Sequence, residues 1–203
     1  MIRDYNIAWR TKRTFIPAAD FLGISVDRLA SLGAGAAVFQ EMVAAAELSG
    51  LAIAADGDEI YTFLPIPWDL DRNEPIRFRI WFHHTSTDAD TPIWKVFYQF
   101  FAKQAALGDA IANTEETITF GAHTCSTTAN TLEVTAWKES ASQNDIAAAD
   151  FGMAIAVECD TMSGSANEIS LIGLELEYTL GGASEGTRKR TSNAPTTNTG
   201  VDS

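Results

Sequence analysis

Apolar and polar residues alternate along most of the second half of this chain, and a period of two is the mark of a half-buried β-strand. In residues 75–83 the side chains of Ile76, Phe78, Ile80 and Phe82 fall on one face, and those of Arg77, Arg79, Trp81 and His83 on the other. In residues 93–102, Trp94, Val96, Tyr98 and Phe100 share one face while Ile93, Lys95, Phe97, Gln99 and Phe101 share the opposite one. Both faces of this second strand are partly apolar, which predicts that it is covered on both sides or lies at a subunit interface. Similar runs at residues 48–55, 59–64, 114–120, 131–138, 151–159 and 168–180 predict further strands. They are separated by loops rich in Ser, Thr, Asn, Asp and Gly, and Asp56-Gly57-Asp58 supplies a glycine for a turn with positive φ. About eight strands with no regular helix between them predict an all-β protein, an antiparallel two-sheet sandwich of the jelly-roll or Greek-key kind.

The flanks break this pattern. Residues 1–24 mix basic side chains with Tyr5, Ile7, Trp9, Phe15, Ile16, Phe21 and Leu22, too apolar for a free tail and too short for a domain, so they read as an arm that docks. Ser25 is placed to cap a short helix ending at Leu32, with Gly33 as its stop. The alanine-rich residues 33–46 suit helix or strand equally. Beyond Gly181 the chain is dominated by Gly, Ser, Thr and Asn, a composition that cannot bury enough apolar surface to order itself. The predicted organisation is an N-terminal arm and attachment region (1–47), a jelly-roll sandwich (48–180) and a polar, basic C-terminal tail (181–203).

Charge adds a constraint on partners. The 203-residue chain carries a net −13, yet residues 1–13 sum to +3 and residues 187–203 to +2, leaving −18 on residues 14–186. An acidic body of that size repels phosphate backbones and disfavours nucleic acid as a partner. The basic ends point instead to contacts with an acidic neighbour, through Arg3, Arg10, Lys12 and Arg13 at one end and Arg188, Lys189 and Arg190 at the other; tails that only aid solubility are the alternative. The start of the sequence has no apolar signal region, and no run reaches the roughly 20 apolar residues of a membrane span, so a protein made in the cytoplasm and without a membrane partner is expected.

Candidate chemistry is sparse. Cys125 and Cys159 are too few for a disulfide framework or a zinc set, and Cys159 fits a strand as a small apolar residue. His83 and His84 are adjacent, so a strand sends them to opposite faces, and His123 stands alone. The pairs Asp56/Asp58, Asp69/Asp71 and Asp88/Asp90 offer carboxylates two apart, a spacing that suits a calcium site or, more simply, ordinary turns. No nucleophile elbow, phosphate-binding loop or complete dinucleotide fingerprint occurs. A non-enzymatic protein without metal or cofactor is therefore expected. The aromatic residues Trp68, Trp81, Trp94, Tyr98 and Trp137 offer flat faces to sugar rings, although alternation assigns Trp94 and Tyr98 to a core. Trp81, Phe97, Phe101 and Trp137 remain as a candidate self-association or glycan-binding face.

The order Pro67-Trp68-Asp69-Leu70-Asp71, an alternating strand, a polar loop, Trp94-Lys95-Val96-Phe97-Tyr98, and a last strand ending Leu174-Glu175-Leu176-Glu177-Tyr178 resembles the jelly-roll domain of virion proteins of tailed bacteriophages. The resemblance covers roughly residues 60–180. It implies a capsid decoration (cement) protein in the virion, binding the major capsid protein or another virion protein, with a homotrimer as the expected assembly. The alternatives are a head- or tail-fibre module that binds host glycans and a self-assembling coat protein.

Overall fold

A computed structural model of the chain describes residues 11–21, 38–43, 48–53, 56–102, 116–140, 146, 150–164 and 168–181. Eleven strands are described: β1 (Thr11–Pro17), β2 (Val38–Val43), β3 (Leu48–Ala52), β4 (Asp58–Pro65), β5 (Arg77–His84), β6 (Ile93–Ala102), β7 (Glu116–Thr119), β8 (Thr131–Val134), β9 (Lys138–Glu139), β10 (Asp150–Thr161) and β11 (Ile169–Thr179). A single 3-10 turn, Ala18–Phe21, follows β1. The expected helix from Ser25 to Leu32 lies outside the described residues.

The strands form two antiparallel sheets. One has the order β2-β3-β11-β5-β8, with β1 also on β11 and β9 also on β5; the other has the order β4-β10-β6-β7. Stripped of β1, β2 and β9, these are two four-stranded sheets, β3-β11-β5-β8 and β4-β10-β6-β7, between which the chain passes back and forth. That is jelly-roll connectivity, as alternation predicted. The ambiguous stretch 33–46 contains a strand, β2, paired antiparallel with β3. Gly57 does occupy a positive φ, +80°, in the turn between β3 and β4. The predicted strand 131–138 is two short ones: at Thr135 the amide still donates to the Ile80 carbonyl at 3.0 Å, but the Ile80 amide donates to the Thr135 Oγ1 at 2.9 Å and the strand ends there.

The sheets close on each other through their inward residues. Phe78, Ile80 and Phe82 of β5 face Trp94, Val96 and Tyr98 of β6, with Phe78 stacked on Tyr98 at 5.6 Å and Phe82 tilted on Trp94 at 5.4 Å between ring centroids. Met153, Ile155, Val157 and Cys159 of β10 and Ile169, Leu171, Leu174 and Leu176 of β11 complete this core. At β11 the inward positions change parity, odd at Leu171 and even from Leu174 on. The cause is a bulge between Leu171 and Gly173, which inserts one unpaired residue opposite β5. It keeps leucines inward on both sides of the irregularity and turns Glu175 and Glu177 to the outside.

The N-terminal segment is a strand of the sandwich itself. All seven residues of β1 pair in register with β11, from Thr11 opposite Thr179 to Pro17 opposite Gly173, and Ile16, Ala18 and Phe21 are buried in the core. The sheet therefore extends on the N-terminal side of residue 48, where the sequence alone drew the boundary. Ile16 and Phe21 have a use within the chain: a strand's inward stripe can be completed by a segment more than 150 positions away, which local alternation does not reveal.

A polar and aromatic outer face

Sheet register sets charges side by side on the outside of the larger sheet. Arg13 lies opposite Glu177, Glu177 opposite Arg77, and Arg77 opposite Glu139, so four adjacent strands carry alternating charges in one row. Arg13 Nε donates to Glu177 Oε2 at 2.7 Å, Arg77 Nη1 to Glu177 Oε1 at 3.4 Å, and Arg77 Nε and Nη2 to Glu139 Oε1 at 2.8 and 2.5 Å. In the neighbouring row Arg79 Nε donates to Glu175 Oε2 at 2.6 Å and the Trp81 indole Nε1 donates to the same oxygen at 2.9 Å. Opposite-charge pairs directly across strands favour the register that forms them.

Aromatic rings lie over these cations. The Arg79 guanidinium is 4.5 Å from the centroid of Trp137 and 5.1 Å from that of Trp81, and that of Arg13 is 5.2 Å from Trp137. Planar guanidinium on indole is a favourable electrostatic contact, stronger where water is partly excluded. Phe15 meets Trp81 edge-on at 6.3 Å. This needs Gly173 beneath it, because a Cβ there would stand 2.5 Å from the Ile16 carbonyl oxygen and 2.6 Å from the Phe15 ring. Glu175 is held by this surround. Burial pushes its carboxyl up, but the hydrogen bonds from Arg79 and Trp81 and the charges of Arg79 and Arg13 outweigh that and hold it below its ordinary value.

A cleft of about 230 Å³ opens at the end of the same face, where β1 and β5 begin and β11 ends. Its polar wall is Glu74, Arg77, Glu139 and Glu177, and Thr11, Pro75, Tyr178 and Thr179 line the rest. The turn that precedes Glu74 in the chain is tied down. The Asp71 and Gly181 amides donate to the Thr179 and Asp69 carbonyls at 2.8 and 2.9 Å, and Asp69 takes hydrogen bonds from Lys12 and from the Tyr178 hydroxyl. The bond from Lys12 and, behind it, that from Tyr178 lower the Asp69 carboxyl against its partial burial. Trp68, next to Asp69 on this pinned turn, is 92% exposed.

The predicted site residues sort clearly. Trp81 and Trp137 come together on this face, bridged by Arg79. Phe97 and Phe101 point outward from the other sheet. Their face carries Phe63, Phe101 and Phe151 in mutual contact, at 4.8 Å for Phe63–Phe101 and 5.4 Å for Phe101–Phe151. Gly152 lies under them, for a Cβ there would stand 2.5 Å from the Phe63 ring. Trp94 and Tyr98 are core residues, as alternation required. Lys12 and Arg13 are paired with carboxylates of their own chain rather than standing free. Arg3, Arg10, Arg188, Lys189 and Arg190 lie outside the described residues. Arg77, Arg79, Glu175 and Glu177 were missed as a group, although their alternation in Arg77-Phe78-Arg79 and Glu175-Leu176-Glu177 was a readable signal of facing charged rows.

A further set of titratable groups lies at and around the end of β5. His84 Nε2 is 2.9 Å from Asp90 Oδ2, and His123 Nε2 is 3.0 Å from Glu133 Oε2. Cys125 is buried, and its amide donates to the Asp90 carbonyl at 2.8 Å. Burial, with Glu133 and Asp90 adding to it, pushes the Cys125 thiol up to about 12, so it stays protonated and is no nucleophile. His83 is sealed with both ring nitrogens unpaired beside the equally unpaired Ser170 hydroxyl. Desolvation, then the neighbouring His84, holds its pKa down. Among the described residues no three His, Cys, Asp or Glu side chains are grouped to hold a metal. The acidic pairs have structural tasks: Asp56 accepts from the Met162 amide at 2.7 Å and Asp71 from the Asn73 amide at 3.1 Å.

Fold and face together define an all-β jelly-roll sandwich with a polar-aromatic exterior on its larger sheet and an apolar-aromatic patch on its smaller one. No family model matches the sequence, and no curated protein matches it. Solved structures with a similar course of chain include the C-terminal CBM6 of the laminarinase LamC from Zobellia galactanivorans, at TM-score 0.38 and 8% identity over 81% of this chain and 98% of that one. A mannan-recognising carbohydrate-binding module, TmCBM27, gives TM-score 0.38 and 9% identity over 82% and 98%. Dimeric latent PorU from Porphyromonas gingivalis gives 0.39 and 4%, and there the match covers 84% of this chain but only 13% of PorU. These likenesses are too remote to transfer a function.

Proposed function

We propose that this protein is a non-catalytic binding module that recognises a glycan on the outer face of its larger sheet. The observation that carries the reading is the juxtaposition of the cleft walled by Glu74, Arg77, Glu139 and Glu177 with the indole–guanidinium stack of Trp137, Arg79 and Trp81. Sugar rings present an apolar face of C–H groups and an equatorial fringe of hydroxyls. A site for them therefore needs flat aromatic surface and a few fixed planar hydrogen-bonding groups, in a largely pre-formed concavity. Both kinds are present here, and cross-strand bonds immobilise Arg77, Arg79, Glu139, Glu175 and Glu177 before a ligand arrives, so less entropy is lost on binding. The test is a glycan array followed by titration of any hit. Trp137→Ala is expected to weaken binding by at least about tenfold while leaving the far-ultraviolet circular dichroism unchanged. Wild-type protein that binds no glycan would refute the reading.

A second reading, attachment to a phage head as a decoration protein, is favoured by the exposed rings of Phe63 (42%) and Phe151 (45%) on the opposite sheet, which suit a protein contact. Co-sedimentation with heads stripped of their decoration, and light scattering for the expected homotrimer, test it. A monomer that stays in the supernatant would remove it.

A further inference from the structure

The cleft has a charge balance that its lining residues do not share equally, and that balance bears on which sugars it admits. Among the described residues Arg77 is its one lining cation, and that guanidinium is already engaged: Nε and Nη2 donate to Glu139 and Nη1 to Glu177. Glu177 is further engaged by Arg13. Glu74, by contrast, is exposed and makes no side-chain hydrogen bond or ion pair among the described residues. What the cleft offers a newcomer among the described residues is thus carboxylate oxygens, which accept hydrogen bonds, and no uncommitted cation. Three lining carboxylates against one guanidinium leave a formal excess of −2, set in a chain of net −13. A sugar hydroxyl or ammonium can donate to such a wall. A uronate or sulfate would meet like charge in a partly enclosed site, an unfavourable arrangement where no cation answers it.

We infer that the cleft selects its saccharide by charge, taking uncharged and amine-bearing sugars and rejecting carboxylated and sulfated ones. This rests on the glycan reading above and adds the substrate class to it. Uncharged sugars bind through hydroxyl donors with little dependence on salt. Amino sugars gain a Coulombic contribution that fades as ionic strength rises. Glu74 is the main discriminating group, since its charge is the one not already neutralised by a neighbour.

The experiment is affinity electrophoresis and calorimetric titration of the full chain against three probes: mannan and laminarin oligosaccharides, chitosan oligosaccharides, and alginate with heparin fragments. Binding of the first two and not the third is the expected result, with the chitosan affinity falling between 20 mM and 500 mM salt, concentrations chosen from the roughly 10 Å screening length at 0.1 M. Glu74→Lys should shift the ratio of anionic to neutral binding by about tenfold or more toward the anionic probe. Alginate or heparin bound as tightly as the uncharged sugars would overturn the inference and leave the glycan reading standing. Binding to none of the three would remove that reading and this inference together.

Discussion

The two outer faces of this sandwich are built on the same alternation and put to different use. On the larger sheet the outward positions of β1, β5, β9 and β11 carry arginines and glutamates in register, with Trp81 and Trp137 lying across the guanidinium groups. On the smaller sheet three outward positions of the central strand β10 are small, Gly152, Ala154 and Ala156, and rings from β4 and β6 lean over this end, while Glu158 and Asp160 pair with Lys95 at the other. The larger sheet's face is ordered by directional bonds between unlike charges, and the Gly152 end of the smaller sheet by contact between rings over a glycine. The first is fixed in geometry, suited to a polar ligand. The second is an apolar patch and resembles part of a protein interface.

Several substitutions would break or sharpen this contrast. The largest effect belongs to Glu175, on which Arg79 and Trp81 converge: Glu175→Ala leaves a partly buried guanidinium and indole N–H unanswered and should cost about 3 kcal/mol in urea unfolding. Next comes Gly173→Ala, expected to cost about 2 kcal/mol, since the new methyl would press on the Ile16 carbonyl, backbone that cannot swing aside. Phe101→Ala on the opposite face removes ring contacts that are half in solvent and should cost about 1 kcal/mol. If it costs as much as Glu175→Ala, the faces are not distinct in how they are held. The smallest effect is Glu139→Ala, within about 0.5 kcal/mol, because both its carboxylate and Arg77 are about half exposed.

Acidity separates two buried groups on the outer side of the larger sheet, Glu175 and His83. The Glu175 carboxyl is lowered from 4.5 in the folded protein, so its contribution is complete above that value and is lost as pH falls through the lower folded value. His83 is also lowered, from 6.5, and is neutral when folded. The unfolded chain takes up the proton first, so stability declines as pH drops below 6.5 and levels off below the folded pKa. A stability–pH profile should show both limbs. His83→Leu should flatten the upper limb alone and Glu175→Gln the lower alone; a single substitution that removes both would show that the two groups titrate together.

The alternation of β5 and β6 made the core legible in advance: which of Phe78, Ile80, Phe82, Trp94, Val96 and Tyr98 turn inward follows from period two alone. The turn at Gly57 was legible for the same local reason. The role of residues 11–17 was not, because a docking arm and an added strand look alike until the partner strand is known. Nor was the bulge at residues 171–173, since an inserted residue leaves leucines at both parities and blurs the period. The candidate site was half visible. Trp81 and Trp137 could be picked out as aromatic, but Phe97 and Phe101 were grouped with them although they belong to the other sheet.

The sequence by itself determined an antiparallel, all-β sandwich, its inward stripes and the acidity of its body, since these depend on local periodicity and composition. Only the tertiary structure decided which strands are neighbours. Arg13, Arg77, Glu139 and Glu177 lie far apart in the chain and become one row through β-pairing register, a long-range choice that no local pattern encodes.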